Sequence, residues 1–203
     1  VEMETTAHYD NDSKKFIINT PSIKAQKYWI TNGAVHAHYS VVFARLIKDN
    51  NDEGIHGFLV PIRDNNLKVK DDVEIWDMGY KIGLNGIDNA ALWFNNVEVD
   101  KDSLLDANSQ INSDNEFQSY ILDKSKRKRK RFIKLADQLL SGRVCIASMC
   151  LGSTKVTLNT TIKYAYSRLT VGEKGLSNVP IMNYQLQVNE IMPLVAKTYG
   201  YNF

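Results

Sequence analysis

Trp29 and Thr31 stand two residues apart in the run KYWITNG, residues 27–33. On a strand that spacing sends both side chains to the same side, the geometry that an aromatic wall beside a hydroxyl donor requires. The residues alone also describe a core tryptophan followed by a threonine entering a turn at Asn32-Gly33. Arg168, in YAYSRLTVG, offers a planar fork of donors suited to a diphosphate, and as a cation shortly before Gly172 it equally fits a helix C-terminus. Arg143, in SGRV, reads most simply as one half of an ion pair. His36 and His38 are spaced like same-face metal ligands on a strand, but no third ligand follows at a matching spacing; they read as structural, and no metal site is expected. The GLNGIDN stretch, residues 83–89, lacks a phosphate-binding glycine pattern and reads as a turn between strands. Cys145 and Cys150 would point to different faces of a helix, so a disulfide framework has no support and a reducing compartment fits.

Short strands must position the first of these residues. Residues 15–20 (KFIINT), 27–30 (KYWI), 38–47 (HYSVVFARLI), 55–62 (IHGFLVPI) and 90–99 (AALWFNNVEV) are rich in β-branched and aromatic side chains, and polar turns such as DNNDEG, 49–54, separate them. With no helical pattern between them, they predict an antiparallel sandwich or barrel. From about residue 139 the period changes. Val144, Ala147, Leu151, Leu158, Ile162 and Ala165 form one apolar face of a helix from near 141 to 167, and Tyr184, Val188, Ile191, Val195 and Thr198 repeat the spacing in a terminal helix that Pro193 should kink or divide. The fold class is therefore α+β: a β domain over 1–105, a linker over 106–138 and long helices over 139–203.

The chain has 203 residues, 43% hydrophobic and 24% charged, enough for one sizeable core or two small ones and unlike disordered or collagen-like sequences. Neither a membrane span nor a secretory signal is visible, and the chain reads as soluble and intracellular. Eight of its 25 basic residues fall between Lys124 and Lys134, and without them the remainder is acidic. The run lacks aromatic interleaving or a surrounding nucleic-acid motif, so no specific nucleic-acid partner is expected. The chain opens without methionine and ends in a helical pattern; it is expected to be part of a larger protein, with exposed apolar faces at both ends.

The stretches METTAHYD, FIINTPSIKAQKYWI, HGFLVPIRD, MGYKIGLNGIDNAALWFNNVEV, LSGRVCIAS, YAYSRLTVG and VNEIMPLVAKTYGYNF occur in the order and spacing of the acyl-CoA dehydrogenase and oxidase flavoprotein superfamily, and the resemblance covers nearly the whole chain. LNGIDN, SGRV and PLVAKTY are similar to the peroxisomal acyl-CoA oxidases, whereas WITN has the dehydrogenase form. The resemblance implies a middle β domain and the first part of a C-terminal helical bundle, with FAD as cofactor. It implies that Trp29 lines the isoalloxazine, that Thr31 reaches N5, that Arg168 and Thr170 bind the FAD of a neighbouring subunit, and that Arg143 lies near the substrate thioester. The family's phenylalanine beside Thr170 is Val171 here, which removes a stacking contact. No catalytic residue is assigned within the chain, since the family's glutamate base is expected outside it.

The implied activity is oxidation of fatty acyl-CoA to trans-2-enoyl-CoA, the first step of β-oxidation, with electrons passing to dioxygen. Alternatives are an acyl-CoA dehydrogenase that reduces an electron-transfer flavoprotein, and a truncated non-catalytic member serving as a structural subunit. A homodimer or higher oligomer is expected, because two amphipathic helices do not bury each other's apolar faces. The implied compartment is the peroxisome, with the mitochondrion as alternative.

Overall fold

The computed structural model of the chain describes residues 2–105, 107, 109–120 and 127–202, with side chains in the long helix given at 132, 133 and from 140 onward. The chain divides into two units, Val1–Ala136 and Asp137–Phe203.

The first unit carries β1 (Thr6–Asp10), β2 (Lys15–Asn19), β3 (Lys27–Thr31), β4 (Tyr39–Lys48), β5 (Asn51–Pro61), β6 (Val73–Asp77), β7 (Asn89–Phe94) and β8 (Val97–Asp100), followed by a hairpin of β9 (Ser109–Ile111) and β10 (Phe117–Ser119). One sheet runs β5-β4-β1-β2-β8 and a second runs β3-β7-β6. Among the described residues, β1 and β4 form a parallel pair, with Thr6 opposite Arg45, and the other strand pairs are antiparallel. The two sheets share one core, and neither closes on itself among the described residues. The sandwich that the strand pattern predicts is therefore present, and the barrel is not.

Alternation builds that core. Phe16 and Ile18 of β2, Val42, Ala44 and Leu46 of β4, and Leu92 and Phe94 of β7 are all buried in one cluster. Each large side chain withdrawn from water contributes about 1.5–3 kcal/mol. The Phe16 ring packs 5.0 Å from that of Phe58 and 5.1 Å from that of Tyr9, both in tilted or edge-on geometry. Buried Thr20 links the sheets: its amide donates to the Phe94 carbonyl (2.8 Å), and its Oγ1 accepts from the Phe94 amide (3.1 Å).

The DNNDEG turn is tighter than its composition predicts. Asp49 and Asn50 both take positive φ, 49° and 61°. That makes a two-residue hairpin turn matched to the twist of its strands, so β5 begins already at Asn51. Residues 106–138, read from sequence as a linker, contain the β9–β10 hairpin, because Ile111 and Phe117 on either side of the NSDN turn pack on the core. Residues 90–99 form two strands, parted by Asn95 and Asn96.

The second unit holds most of α1 (Arg127–Ser167), from residue 137 on, with a short hairpin of β11 (Leu169–Val171) and β12 (Ser177–Pro180) before α2 (Gln185–Gly200). Helix α1 starts at Arg127 rather than near 141. The added turns are rich in Lys, Arg and Leu, strong helix formers, and Phe132, Leu135, Ala136 and Leu139 carry the apolar helical period through them in the sequence. The side chains of the basic run 124–134 lie outside the described residues. Of the predicted stripe on α1, Ile162 and Ala165 pack against Met182, Val188, Ile191 and Val195, while Val144 and Ala147 are exposed. Helix α2 runs through Pro193 undivided, with Ile191 and Thr198 buried on either side of it.

Candidate cofactor site

Trp29 and Thr31 lie on β3, an edge strand of the three-stranded sheet, and both are exposed, Trp29 at 55%. Their relation differs from simple alternation. Lys27 pairs with Leu92 and Ile30 with Ala90, so the register shifts between them, and Trp29 takes φ 63°. A bulge of this kind re-aims side chains on the bulged strand, and bulges gather beside functional sites. A bulky residue with positive φ is an outlier that its surroundings must enforce. Asn32 follows with φ 60°, so two left-handed residues bracket Ile30 and Thr31.

Several residues to which the sequence reading assigns no role hold this stretch. Half-buried Lys81 places its Nζ 5.9 Å from the centre of the Trp29 ring and donates to the Ile87 carbonyl and to Asn89 Oδ1. Asn89 Nδ2 in turn reaches the Trp29 carbonyl at 3.5 Å. Asp88 takes the Val35 amide on its carboxylate (2.8 Å) and the Asn32 amide on its carbonyl (3.0 Å). Buried Arg63 bonds to the carbonyls of Gly33, Ala34 and Ala37. At the start of β3, Lys27 donates to the Phe43 carbonyl at 2.7 Å, and burial lowers its pKa to about 8. The available sequence signal for Arg63 was a charge closing the apolar run FLVPI; Lys81 stands two residues before the GLNGIDN stretch and Asn89 ends it.

That stretch is a loop between β6 and β7, as its composition predicts. The loop as a whole, residues 78–88, presents Tyr80, Ile82 and Leu84 to solvent. His36 is exposed and His38 half-buried in the segment before β4, where the His38 carbonyl accepts the amides of Ile62 (2.8 Å) and Arg63 (3.2 Å). Among the described residues no cluster of three or more His, Cys, Asp or Glu could hold a metal ion, and no helix is long and apolar enough to cross a membrane.

The other sequence-predicted residues belong to the second unit. Arg168 is exposed just past the end of α1; its amide donates to the Tyr164 carbonyl (2.8 Å) and its carbonyl accepts the Ile181 amide (2.9 Å), so its backbone is fixed while its side chain faces solvent. Thr170 is half-buried on β11 opposite Val179. Gly172 closes this hairpin where a Cβ would sit 2.6 Å from the Val179 side chain, so the chain admits nothing larger there. Arg143 is exposed on α1, and 25 residues of helix put it roughly 37 Å from Arg168. The two arginine side chains are therefore too far apart to meet at one point.

An exposed indole beside an exposed hydroxyl on a bulged, strained edge strand fits one edge of a flat heteroaromatic cofactor. Residues 1–97 match the family described as acyl-CoA dehydrogenase, middle domain. Nearly half of the chain thus carries the middle domain of the acyl-CoA dehydrogenase family. Within it, the similarity is to peroxisomal acyl-CoA oxidases: the chain is 38% identical, over 99% of its length, to acyl-coenzyme A oxidase 3, peroxisomal, of Arabidopsis thaliana, of which it covers 29%. In structure it matches acyl-CoA oxidase 3 of Yarrowia lipolytica with a TM-score of 0.84 at 29% identity, covering 98% of this chain and 28% of that one. It matches acyl-CoA oxidase-1 of Caenorhabditis elegans, complexed with FAD and ATP, with a TM-score of 0.79 at 28% identity, covering 98% and 29%. The chain thus spans less than a third of the length of these relatives.

Proposed function

We propose that this chain is the flavin-facing part of an FAD-dependent acyl-CoA oxidase, which converts fatty acyl-CoA to trans-2-enoyl-CoA in the peroxisome. The observation that carries this reading is the exposed Trp29–Thr31 pair on the bulged edge strand of an acyl-CoA dehydrogenase middle domain. FAD, when bound, accepts the substrate's β hydride at N5 and is reoxidised by dioxygen.

Trp29 serves as the wall that keeps water from the isoalloxazine, and Thr31 supplies the hydroxyl for its N5 edge. Arg168, with its side chain in solvent, serves the FAD diphosphate of a neighbouring subunit in a homodimer or higher oligomer, and Thr170 lies beside it on β11. Val171, in place of the family's phenylalanine, leaves the diphosphate contact to carry affinity there without stacking. Arg143 serves the thioester end of the acyl-CoA. The base that removes the α proton is a glutamate outside these 203 residues.

The test uses the intact protein. It should purify yellow, bleach when acyl-CoA is added without oxygen, and release hydrogen peroxide in proportion to substrate when oxygen returns. Reoxidation by an electron-transfer flavoprotein and not by oxygen would make it a dehydrogenase. A colourless protein within a larger assembly would make it a non-catalytic subunit.

A further inference from the structure

We propose that Arg63 is the positioning residue that holds Trp29 and Thr31 in their working geometry; this rests on the flavin reading above. Two residues in the left-handed region, Trp29 and Asn32, lie within one four-residue stretch. Neither is glycine, and such a backbone relaxes unless the surroundings over-determine it. The strand supplies little restraint, because β3 is an edge and its ladder slips between Lys27 and Ile30.

The restraint comes from the segment that follows. From Asn32 the chain makes a compact loop to Ala37, whose amide donates to the Asn32 carbonyl at 3.1 Å. The loop's carbonyls converge on Arg63: its NH2 nitrogen donates to Gly33 O at 2.9 Å and Ala34 O at 2.5 Å, and its NH1 nitrogen donates to Ala37 O at 2.8 Å. All the hydrogen bonds that the guanidinium makes among the described residues end on this loop, and Arg63 is only 5% exposed. Below the loop, a Cβ at Gly33 would lie 3.1 Å from the Ala90 Cβ and 3.2 Å from the Ile30 carbonyl, so the backbone is seated directly on β7. The loop is held from one side by packing and from the other by a cation.

Arginine is specific to this task. Its planar fork presents donors in several fixed directions, whereas a lysine ammonium is a compact point charge that cannot reproduce the spread. Without the fork, three buried or half-buried carbonyls lose their donor, the loop opens, and Asn32 and then Trp29 leave the left-handed region. Thr31, between them, changes direction. Arg63 therefore acts on the flavin through the backbone without contacting it.

The experiment compares Arg63→Gln, Arg63→Lys, Thr31→Val and Phe58→Leu with the parent, all as intact FAD-loaded protein. Phe58→Leu loosens the core away from the loop and reports what a loss of stability alone does. Three readouts are taken: amide exchange at residues 32–38, the visible flavin spectrum, and the rate of flavin reduction set against KM. Arg63→Gln is expected to speed exchange in the loop at least tenfold, shift the flavin bands and slow reduction at least tenfold with KM within twofold. Arg63→Lys, which keeps the charge and loses the fork, should show the same changes in smaller degree and serves alone should the glutamine variant not accumulate. The proposal is overturned by unchanged exchange, spectrum and rate in the Arg63 variants, or by Phe58→Leu producing the same changes at an equal loss of melting temperature. Thr31→Val separates the two readings: if it leaves spectrum and rate unchanged the flavin reading fails, and loop exchange still tests the clamp. If Thr31→Val alters both and the Arg63 variants alter neither, the clamp alone is lost.

Discussion

Lys81 and Trp29 are joined twice, once through space and once through a relay. The ammonium stands 5.9 Å from the centre of the indole ring, and the Asn89 amide that accepts from Lys81 also donates to the Trp29 carbonyl. The cation contact adds about 0.5–1 kcal/mol at such an exposed site. Because Lys81 also bonds to the Ile87 carbonyl, it ties the loop between β6 and β7 to the bulge on β3. Lys81→Met in the intact protein should lower the melting temperature by about 2–4 °C and speed amide exchange across residues 81–89. A variant matching its parent in both measurements would remove the tie.

Thr31 gives the most direct test of the flavin edge. Thr31→Val keeps the shape and β propensity of the side chain and deletes only the hydroxyl. The flavin potential or the rate of its reduction by acyl-CoA should change, with the melting temperature within about 2 °C of the parent because the hydroxyl is exposed. Identical spectra and rates would show that the hydroxyl does not reach the cofactor.

Arg168 is exposed at the end of α1, its backbone fixed at both its amide and its carbonyl. Arg168→Ala should therefore leave the fold intact and weaken FAD retention by about 1.5–3 kcal/mol, or roughly 10- to 150-fold in affinity. Equilibrium dialysis of FAD measures this, and sedimentation gives the assembly state. A monomer that keeps FAD as tightly with alanine as with arginine would exclude the cross-subunit role.

Lys27 makes a pH-dependent contribution to stability. Its ordinary pKa is 10.5, and burial lowers it to about 8 in the folded protein. Below pH 8 the amine carries its proton folded and unfolded. Between about 8 and 10.5 the folded protein has released a proton that the unfolded chain still binds, so stability from this group rises with pH across that window. The melting temperature of the parent minus that of Lys27→Met should climb from pH 8 to 10.5 and stay level between pH 6 and 7.5. A flat difference throughout would mean that the amine is not desolvated.

The strands were legible because alternation and turn residues agree: Phe16 and Ile18 point inward as their spacing requires, and the paired residues after Lys48 close a hairpin. The bulge on β3 was not. No residue type announces a left-handed tryptophan, and the same KYWIT read as a regular strand places its side chains differently. Arg63 was hidden for a related reason, since its partners are backbone carbonyls and leave no trace in side-chain identity. On α1, apolar spacing located the turns that pack on α2; the same period runs through Phe132, Leu135, Ala136 and Leu139 but is masked there by the density of basic residues. For the candidate site, Trp29 and Thr31 could be found from spacing and resemblance, while the residues that hold them could be found only from geometry.

The parallel pairing of β1 with β4 imposes an order of assembly. Thr6 lies opposite both Asn19 and Arg45, so β1 is central, with a near neighbour in sequence on one side and a distant one on the other. The β1–β2 and β4–β5 hairpins can each close locally, within microseconds once their residues are present. Joining them requires the 19 residues between Asn19 and Tyr39 to be in place, and those residues include β3 and the whole loop that Arg63 holds. Such a non-local closure is the slow event in folding a sheet. Because β3 is enclosed within this closing segment and pairs only with the later β7 among the described residues, the left-handed backbone at Trp29 should be set only after the surrounding sheet has docked.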